Sequence, residues 1–419
     1  MHIKFLVGVF GLVLTSLATQ AHAACDQILP NPNPAGSTIS NGRYDACNEI
    51  TRFDNFGSLF NTGILDNSGA LRNFGTMINI GTLNNFGDLI NVQSSAGHVK
   101  NAGTLNNFGS VSGYGSTENS GILNNYDTYN TGDFGENTGV VNNFPGATLS
   151  SAQRYTNEGV LQNSFGATVT ARIGWLNYAT VSNDGTLNFG RSRFLHNHGV
   201  LKNNSGARLI TGRETRNTGS LHNDGSVAND GRIITSGKLE VSVSGELTGS
   251  GIFFQYAGST VIDGAMSQSS IVIGGGVLSG AGKITSTVTV DGGTLERATS
   301  IAAMRISGDY AQTAAGKFAT YIIGPPKDAR AALLNVSGTA VLDGVLEIRV
   351  VSFRNRQFSP AQGDTFDILS AESIRGTFQT VLFVPPREKL TWQVSYLIDA
   401  NDTMDIVRLT VIPAPETQP

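Results

Sequence analysis

Basic side chains crowd between residues 191 and 238, among them Arg193, Lys202, Arg213, Arg216 and His222. Only Glu214, Asp224, Asp230 and Glu240 stand against them. Arg193 and Arg213 lie 20 residues apart, an interval that recurs elsewhere in the chain. Side chains one structural repeat apart stand on top of each other, and like charges stacked that way repel unless an anion or solvent intervenes. The chemistry this suggests is recognition of an acidic glycan, a lipopolysaccharide or another anionic host or cell surface. The plain alternative is a solvated face. Net charge over the whole chain is -4, so no global field draws in nucleic acid.

Other groups that could do chemistry are sparse. Asp184 and Asp224 both sit in N-D-G turns, where aspartate is a turn former. DANDTMD, from Asp399 to Asp405, spaces oxygen ligands as a calcium loop does, but it lacks the glycine and terminal glutamate of the helix-loop-helix type. A polar hairpin between LTWQVSYLI and DIVRLTVI fits it better. Asp263, Asp291 and Asp343 read as corner turns. The histidines are too scattered for zinc, and no phosphate loop, nucleophile elbow or dinucleotide fingerprint occurs. No cofactor or metal is expected. Phe56, Phe74, Phe86, Phe108 and Phe144 follow corner asparagines. They form either an exposed stacking stripe or a ladder tucked against neighbouring repeats, and the ladder is preferred.

The elements that would position these groups are written in asparagine. Residues 55 to 87 read NFGSLFNTGILDNSGALRNFGTMINIGTLNNFG, with asparagine at every sixth place. Further on, Asn137, Asn157, Asn177, Asn197 and Asn217 recur every 20 residues, as do Asn143, Asn163, Asn183, Asn203 and Asn223. Pairs such as 61/67, 79/85 and 101/107 step by 18 and 22. The repeat is therefore a coil of 18 to 22 residues whose sides are the six-residue beats, with length changes in one variable slot. Columns of glycine (Gly139, Gly159, Gly199, Gly219, with Ala179), of Val141, Leu161, Val181, Leu201 and Leu221, and of Ala147, Ala167, Leu187, Ala207 and Val227 agree. Apolar residues bounded so closely by turn formers suit short strands, not helices. Asparagine and glycine both tolerate left-handed backbone angles at corners, and stacked amides can bond to one another as a ladder.

The fold expected is all-β: a parallel, three-sided β-solenoid over 55–300, followed by a β-rich C-terminal cap over 301–412 and a disordered tail over 413–419. Right-handed winding is the default, with a left-handed coil still open. Residues 55 to 236 supply roughly nine or ten coils, a rod of about 45 Å at strand spacing. The longer strands past 300 read either as a sandwich-like cap or as a wider terminal solenoid. A cap is needed because an open end exposes strand edges and core.

Composition agrees with a rod. Charged residues are 14% of 419, hydrophobic residues 39%, and glycine numbers 51. Residues 1–24 read as a cleaved signal peptide, with MHIK as positive start, FLVGVFGLVLTSLA as apolar stretch and Ala21-His22-Ala23 as cleavage site. No membrane span is expected after its removal. Cys25 and Cys47, the only cysteines, lie in the leader of 25–54 and read as one disulfide in an oxidising compartment. His22 occupies the place where a lipoprotein carries leucine, which argues against lipidation of Cys25. The protein is expected to be secreted or held at the cell surface.

GGVLSGAGKITSTVTVDGGTLE, ISGDYAQTAAGKF, LLNVSGTAVLDGVLEI and GDTFDIL resemble the region that closes autotransporter passenger β-helices. They are equally similar to that region in secreted proteins of the PEP-CTERM type. The N-x-G-x-L-x repeat resembles haemagglutinin-type adhesins. The resemblance implies a β-helix and a structural or adhesive role. No membrane β-barrel follows the cap, and VIPAPETQP carries no apolar sorting helix, so a released or non-covalently retained protein is expected. Because long β-helices also carry polysaccharide lyases and hydrolases, the competing expectation is a carbohydrate-active enzyme built on carboxylates or basic residues converging in a groove. A passenger-like fragment exported by a separate transporter is the third.

Overall fold

Each six-residue beat is one side of a coil, a four-residue strand followed by a short corner. In Thr82–Asn85 the second and fourth residues, Leu83 and Asn85, are buried while the first and third face outward. That is the period of two of a strand, so leucine feeds the core and asparagine turns inward at the corner. The computed structural model describes residues 26–27, 30–42, 48–92, 97–296, 304–322, 324, 333–350, 359–384, 390–400 and 404–414. The expected signal peptide, both Cys25 and Cys47 with their expected disulfide, and residues 415–419 of the expected tail lie outside these.

Three sides make one coil, and each side stacks in parallel register on the coil before it. The first face runs from Thr38–Asn41 to Ser373–Gly376, and the second reaches Thr380–Val384. The third reaches Thr365–Ala371. The register keeps like over like: Leu83, Leu105, Leu123, Val141 and Leu161 are successive partners on the second face. Ten first-face strands lie between Ser58 and Thr235, as the repeat count predicts. All of these core side chains are at most 1% exposed. In the 20-residue coils around 155–189 the core takes larger rings, with Tyr155 stacked 4.2 Å from Trp175 and Trp175 packed 4.8 Å from Phe189.

All ten asparagines of the two predicted columns are buried and bonded into two ladders. On the first, Asn137 Nδ2 donates to Asn157 Oδ1 at 2.8 Å, and the chain of bonds continues through Asn177 and Asn197 to Asn217 at 2.7–2.9 Å. On the second, Asn143 through Asn163, Asn183 and Asn203 to Asn223 are joined at 2.7–2.8 Å. The second proton of each amide goes to a main-chain carbonyl of the next coil, as from Asn163 to Thr186 O at 3.2 Å. Buried amides this fully used cost little and fix the register. The second ladder starts at Asn67, whose Oδ1 has no partner because Ile50 stands one coil earlier.

Three expectations are corrected in detail. The corner glycines are not left-handed; a Cβ on Gly219 would lie 2.1 Å from the carbonyl oxygen of Gly199, and the same holds down the column. Close approach of successive coils excludes a side chain there. Ala179, the one alanine between Gly63 and Gly237 in that column, goes with a corner bond from Thr180 N to Gly159 O of 3.1 Å, against 2.8 Å from Ser220 N to Gly199 O. Nor do length changes share one slot. Coils with Gly146, Gly166 and Gly206, all at positive φ (83°, 75° and 81°), lengthen the corner between second and third faces. The coil holding Phe189 to Arg193 lengthens the corner between third and first instead. The expected column Ala147, Ala167, Leu187, Ala207, Val227 therefore splits. Leu187 stacks on Val169 and under Leu209, while the three alanines line the lengthened corner.

Past residue 300 the wider solenoid prevails. Lys317–Ile322, Val345–Val350 and Thr380–Val384 extend the second face in parallel, each longer than four-residue strands of the repeat such as Thr82–Asn85. Among the described residues, antiparallel pairing is confined to Asp405–Pro413, which lies between Leu390–Leu397 and Thr365–Ala371 and closes the third face. This cap covers the last edge with Val407, Leu409 and Val411 turned inward.

Candidate functional site

The basic cluster is dealt out over three faces. Arg216 lies on the first face and Arg193 and Arg213 on the corner leading into it, whereas Lys202 and His222 are on the second and Arg208 on the third. His222 is committed locally, 2.8 Å from Asp224 and 3.4 Å from Glu240. Lys202 stands exposed between Ser182 and His222 in register. Of the five residues expected to bind together, the fold unites Arg193, Arg213 and Arg216.

That corner gathers two arginines outside the expected cluster. Arg172, Arg193 and Arg213 lie on successive crossings from the third face to the first, Arg154 and Arg232 open the first-face strands of the coils before and after them, and Arg191 joins Arg193. Corner backbone bonds fix the stacking: Arg193 N donates to Ile173 O at 2.9 Å, Arg213 N to Ser192 O at 3.0 Å, and Arg232 N to Arg213 O at 3.1 Å. All six side chains are exposed. Their numbers step by 18 to 21, one coil at a time. That spacing was the available signal, masked because Arg154 and Arg172 precede the dense stretch.

Charge along this edge is unevenly neutralised. Glu214 is clamped by Arg216 at 2.6 Å and Arg232 at 2.7 Å, and hydrogen bonds from Arg216 and then Arg232 hold its carboxyl below the usual range. Arg154, Arg172, Arg191, Arg193 and Arg213 have no carboxylate within 4.0 Å among the described residues. The field of Arg154 does act on Asp133, whose burial outweighs it. His196 is pushed down, first by burial and then by Arg216 and His198, so its ring is neutral at neutral pH and its Nε2 has no partner. Arg193, Phe194, His196, Arg213 and Asp230 border an open groove of about 960 Å³. Asp230 is held low by the backbone and side chain of Ser250.

The remaining candidates resolve as turns and scaffolding. Asn204 stands between Asp184 and Asp224 and donates to Asp184 at 2.8 Å. Asp405 accepts from Ile374 N and Asp399 N, which ties the start of the last strand to the last coil, while residues 401–403 of the expected hairpin or calcium-loop stretch lie outside the described residues. Asp263, Asp291 and Asp343 take Ala281 N, Thr313 Oγ1 and Gly344 N. No group of three metal-ligating side chains occurs among the described residues. The phenylalanine stripe divides between two corners: Phe56 stacks on Phe74, and Phe86, Phe108, Tyr126 and Phe144 form a separate run with centroids 4.2–5.1 Å apart. Each ring spends its face on the next and shows its edge to solvent, so the run is ladder and stripe at once. A second, outward ladder runs beside it, from Asn142 through Asn124, Asn106 and Asn84 to Asp66 at 2.8–2.9 Å. The N-N dipeptides that encode it are visible in the sequence.

Two carboxylates do converge, at a place not singled out beforehand. On the second face Glu347 takes Lys317 at 2.7 Å and also Arg349, while Tyr321 donates to Glu296 and accepts from Arg349 at 2.6 Å. Burial opposes ionisation of Glu347, but the bonds from Lys317 and Arg349 keep it low. Burial and the bond to Glu296 push the Tyr321 phenol up. Comparison with protein-family models and with curated protein sequences finds no match.

Proposed function

We propose that this chain is an exported, non-catalytic surface or matrix rod that binds acidic glycans, in the manner of the haemagglutinin-type adhesins and autotransporter passengers its repeats resemble. The observation that carries the reading is the exposed arginine edge, where Arg154, Arg172, Arg193 and Arg213 have no carboxylate within 4.0 Å among the described residues. A stacked rod holds such groups at fixed spacing with little conformational freedom to lose on binding. The test is a binding screen of the purified mature chain against sulfated and uronate glycans, lipopolysaccharide and neutral glycans. Retention of neutral glycans alone, or of none, would sink the acidic-glycan reading.

A carbohydrate-active enzyme is the competing reading, and Glu296, Tyr321, Arg349 and Glu347 are the observation in its favour. Their chemistry argues for scaffolding. A tyrosine acting as base needs its pKa brought down, whereas this phenol is raised and already donates to Glu296. Glu347 meets two cations, Lys317 and Arg349, and is held low, so it is not poised as a proton donor. Release of reducing ends or unsaturated uronates from an acidic polysaccharide, abolished by Tyr321→Phe, would reverse this preference.

A further inference from the structure

Resting on the acidic-glycan reading, we propose that the ligand is a linear polyanion lying parallel to the solenoid axis on the arginine edge. Arg154, Arg172, Arg193, Arg213 and Arg232 occupy five consecutive coils along one corner: Arg193 and Arg213 stack directly, Arg154 and Arg232 lie one position further on, at the start of first-face strands, and Arg172 lies two before Gly174, the register partner of Arg154. At strand spacing this line is about 19 Å long. One pyranose unit is about as long as one coil is thick. A sugar chain carrying a sulfate or carboxylate on each unit, or on alternate units, therefore meets the guanidinium groups in step. Arginine suits both anions because its planar fork can donate two parallel bonds.

The edge is distinguished by four arginines on consecutive coils, Arg154, Arg172, Arg193 and Arg213, with no carboxylate within 4.0 Å among the described residues, while Arg232 at its end shares Glu214. Elsewhere several cations meet a neighbouring carboxylate, Arg72 with Asp54 at 2.6 Å, Lys238 with Glu240 at 2.9 Å and Arg408 with Asp367 at 2.6 Å, and a run of like charges away from the edge, Glu118, Glu136 and Glu158, is acidic. Lys202 and Arg208 stand on other faces. Lys283 and Arg305 share a column, but Glu246 and Asp263 border the same groove. On the arginine edge the acids are Glu214, held by Arg216 and Arg232, Asp230, held by Ser250, and Asp133 near Arg154. Stacked guanidinium groups repel by about 1 kcal/mol per pair in water, and a bound polyanion relieves this. The cations run along one corner of the rod, with Arg193, Arg213 and Arg232 bordering the groove, which suits a single chain better than a flat lipid surface.

Size-defined heparin oligosaccharides are titrated into the full mature chain, with three further arms: Arg172→Ser/Arg193→Ser/Arg213→Ser, the charge-matched control Lys202→Ser/Arg208→Ser/Lys283→Ser, and lipopolysaccharide vesicles. Circular dichroism and the melting midpoint establish that both variants keep the fold. Wild-type affinity is expected to rise with length to about five sugar units, the span of five coils, and then level off. The edge variant is expected to lose roughly 10- to 100-fold and about three units of salt slope, the control little of either. Equal loss in both variants, or affinity indifferent to length, overturns the axial site while leaving acidic-glycan binding intact. Binding to vesicles but not to oligosaccharides overturns it in favour of a lipid surface. No binding to any polyanion overturns the parent reading as well.

Discussion

Replacing Asn163 with alanine tests whether the amide ladder holds the rod together. Asn163 is fully buried. Its Nδ2 donates to Asn183 Oδ1 at 2.7 Å and to Thr186 O at 3.2 Å, and its Oδ1 accepts from Asn143 Nδ2 at 2.8 Å. Truncation leaves the Asn183 oxygen without its ladder donor and removes one of the Asn143 contacts. Each buried polar group left unsatisfied costs about 1–3 kcal/mol, so the two together predict a loss of about 3–4 kcal/mol. Asn142→Ala is the control: its neighbouring ladder is half exposed, water replaces its 2.9 Å bond to Asn124, and about 1 kcal/mol or less is expected. Urea unfolding followed by circular dichroism reads both, with the slope checked because coils unfold semi-independently in solenoids. The double variant Asn143→Ala/Asn163→Ala should cost less than the sum by about 1 kcal/mol, since their shared bond is lost only once. An Asn163→Ala variant within about 1 kcal/mol of Asn142→Ala would refute the idea that these amides are structural.

Gly219→Val should cost more than about 3 kcal/mol by forcing coils apart, whereas Gly146→Ala, with open space but φ of 83°, should cost only about 1–2 kcal/mol; melting curves compare them. Tyr126→Ala removes ring contacts at 4.6 and 4.2 Å and should cost about 1–3 kcal/mol while reducing near-ultraviolet dichroism. Glu214, Asp224, Glu240 and Glu347 are all held below their ordinary values in the fold. Their stabilisation is complete above the unfolded carboxylate range, about pH 5, and is lost as pH falls through the folded values. The urea midpoint should therefore hold from pH 7 to about 5 and decline below about 4.5, less steeply in Glu347→Gln.

Stacking made the fold legible, because a column of identical residues survives in the sequence as a fixed interval. Asn137 to Asn217 and Asn143 to Asn223 each kept 20 between members although the coils lengthen at different corners. The same fixed interval misplaced Leu187. Its coil carries the extra residues after the third strand and not before it, and only register reveals the difference. The glycine column was visible, but its cause, a neighbouring carbonyl 2.1 Å from any Cβ, is a property of distance between coils. For the site, composition exposed the dense stretch around Arg193 and Arg213. It could not separate Lys202 and His222, which differ from them by face and not by distance along the chain. Arg154 and Arg172 were within reach of the interval and outside the density.

The one-coil contacts of this rod also determine how it yields to force. Each coil is fastened to the next by main-chain bonds and single amide links that run along the axis, so tension applied at one end loads one junction at a time. A coil of about 20 residues stretches to roughly 65 Å once detached, against about 5 Å while stacked. Pulled from its terminus, the rod lengthens more than tenfold in equal steps at nearly constant tension, and re-zips on the template of the coil still in place. A tether with that response keeps hold of a moving surface by paying out length before it lets go.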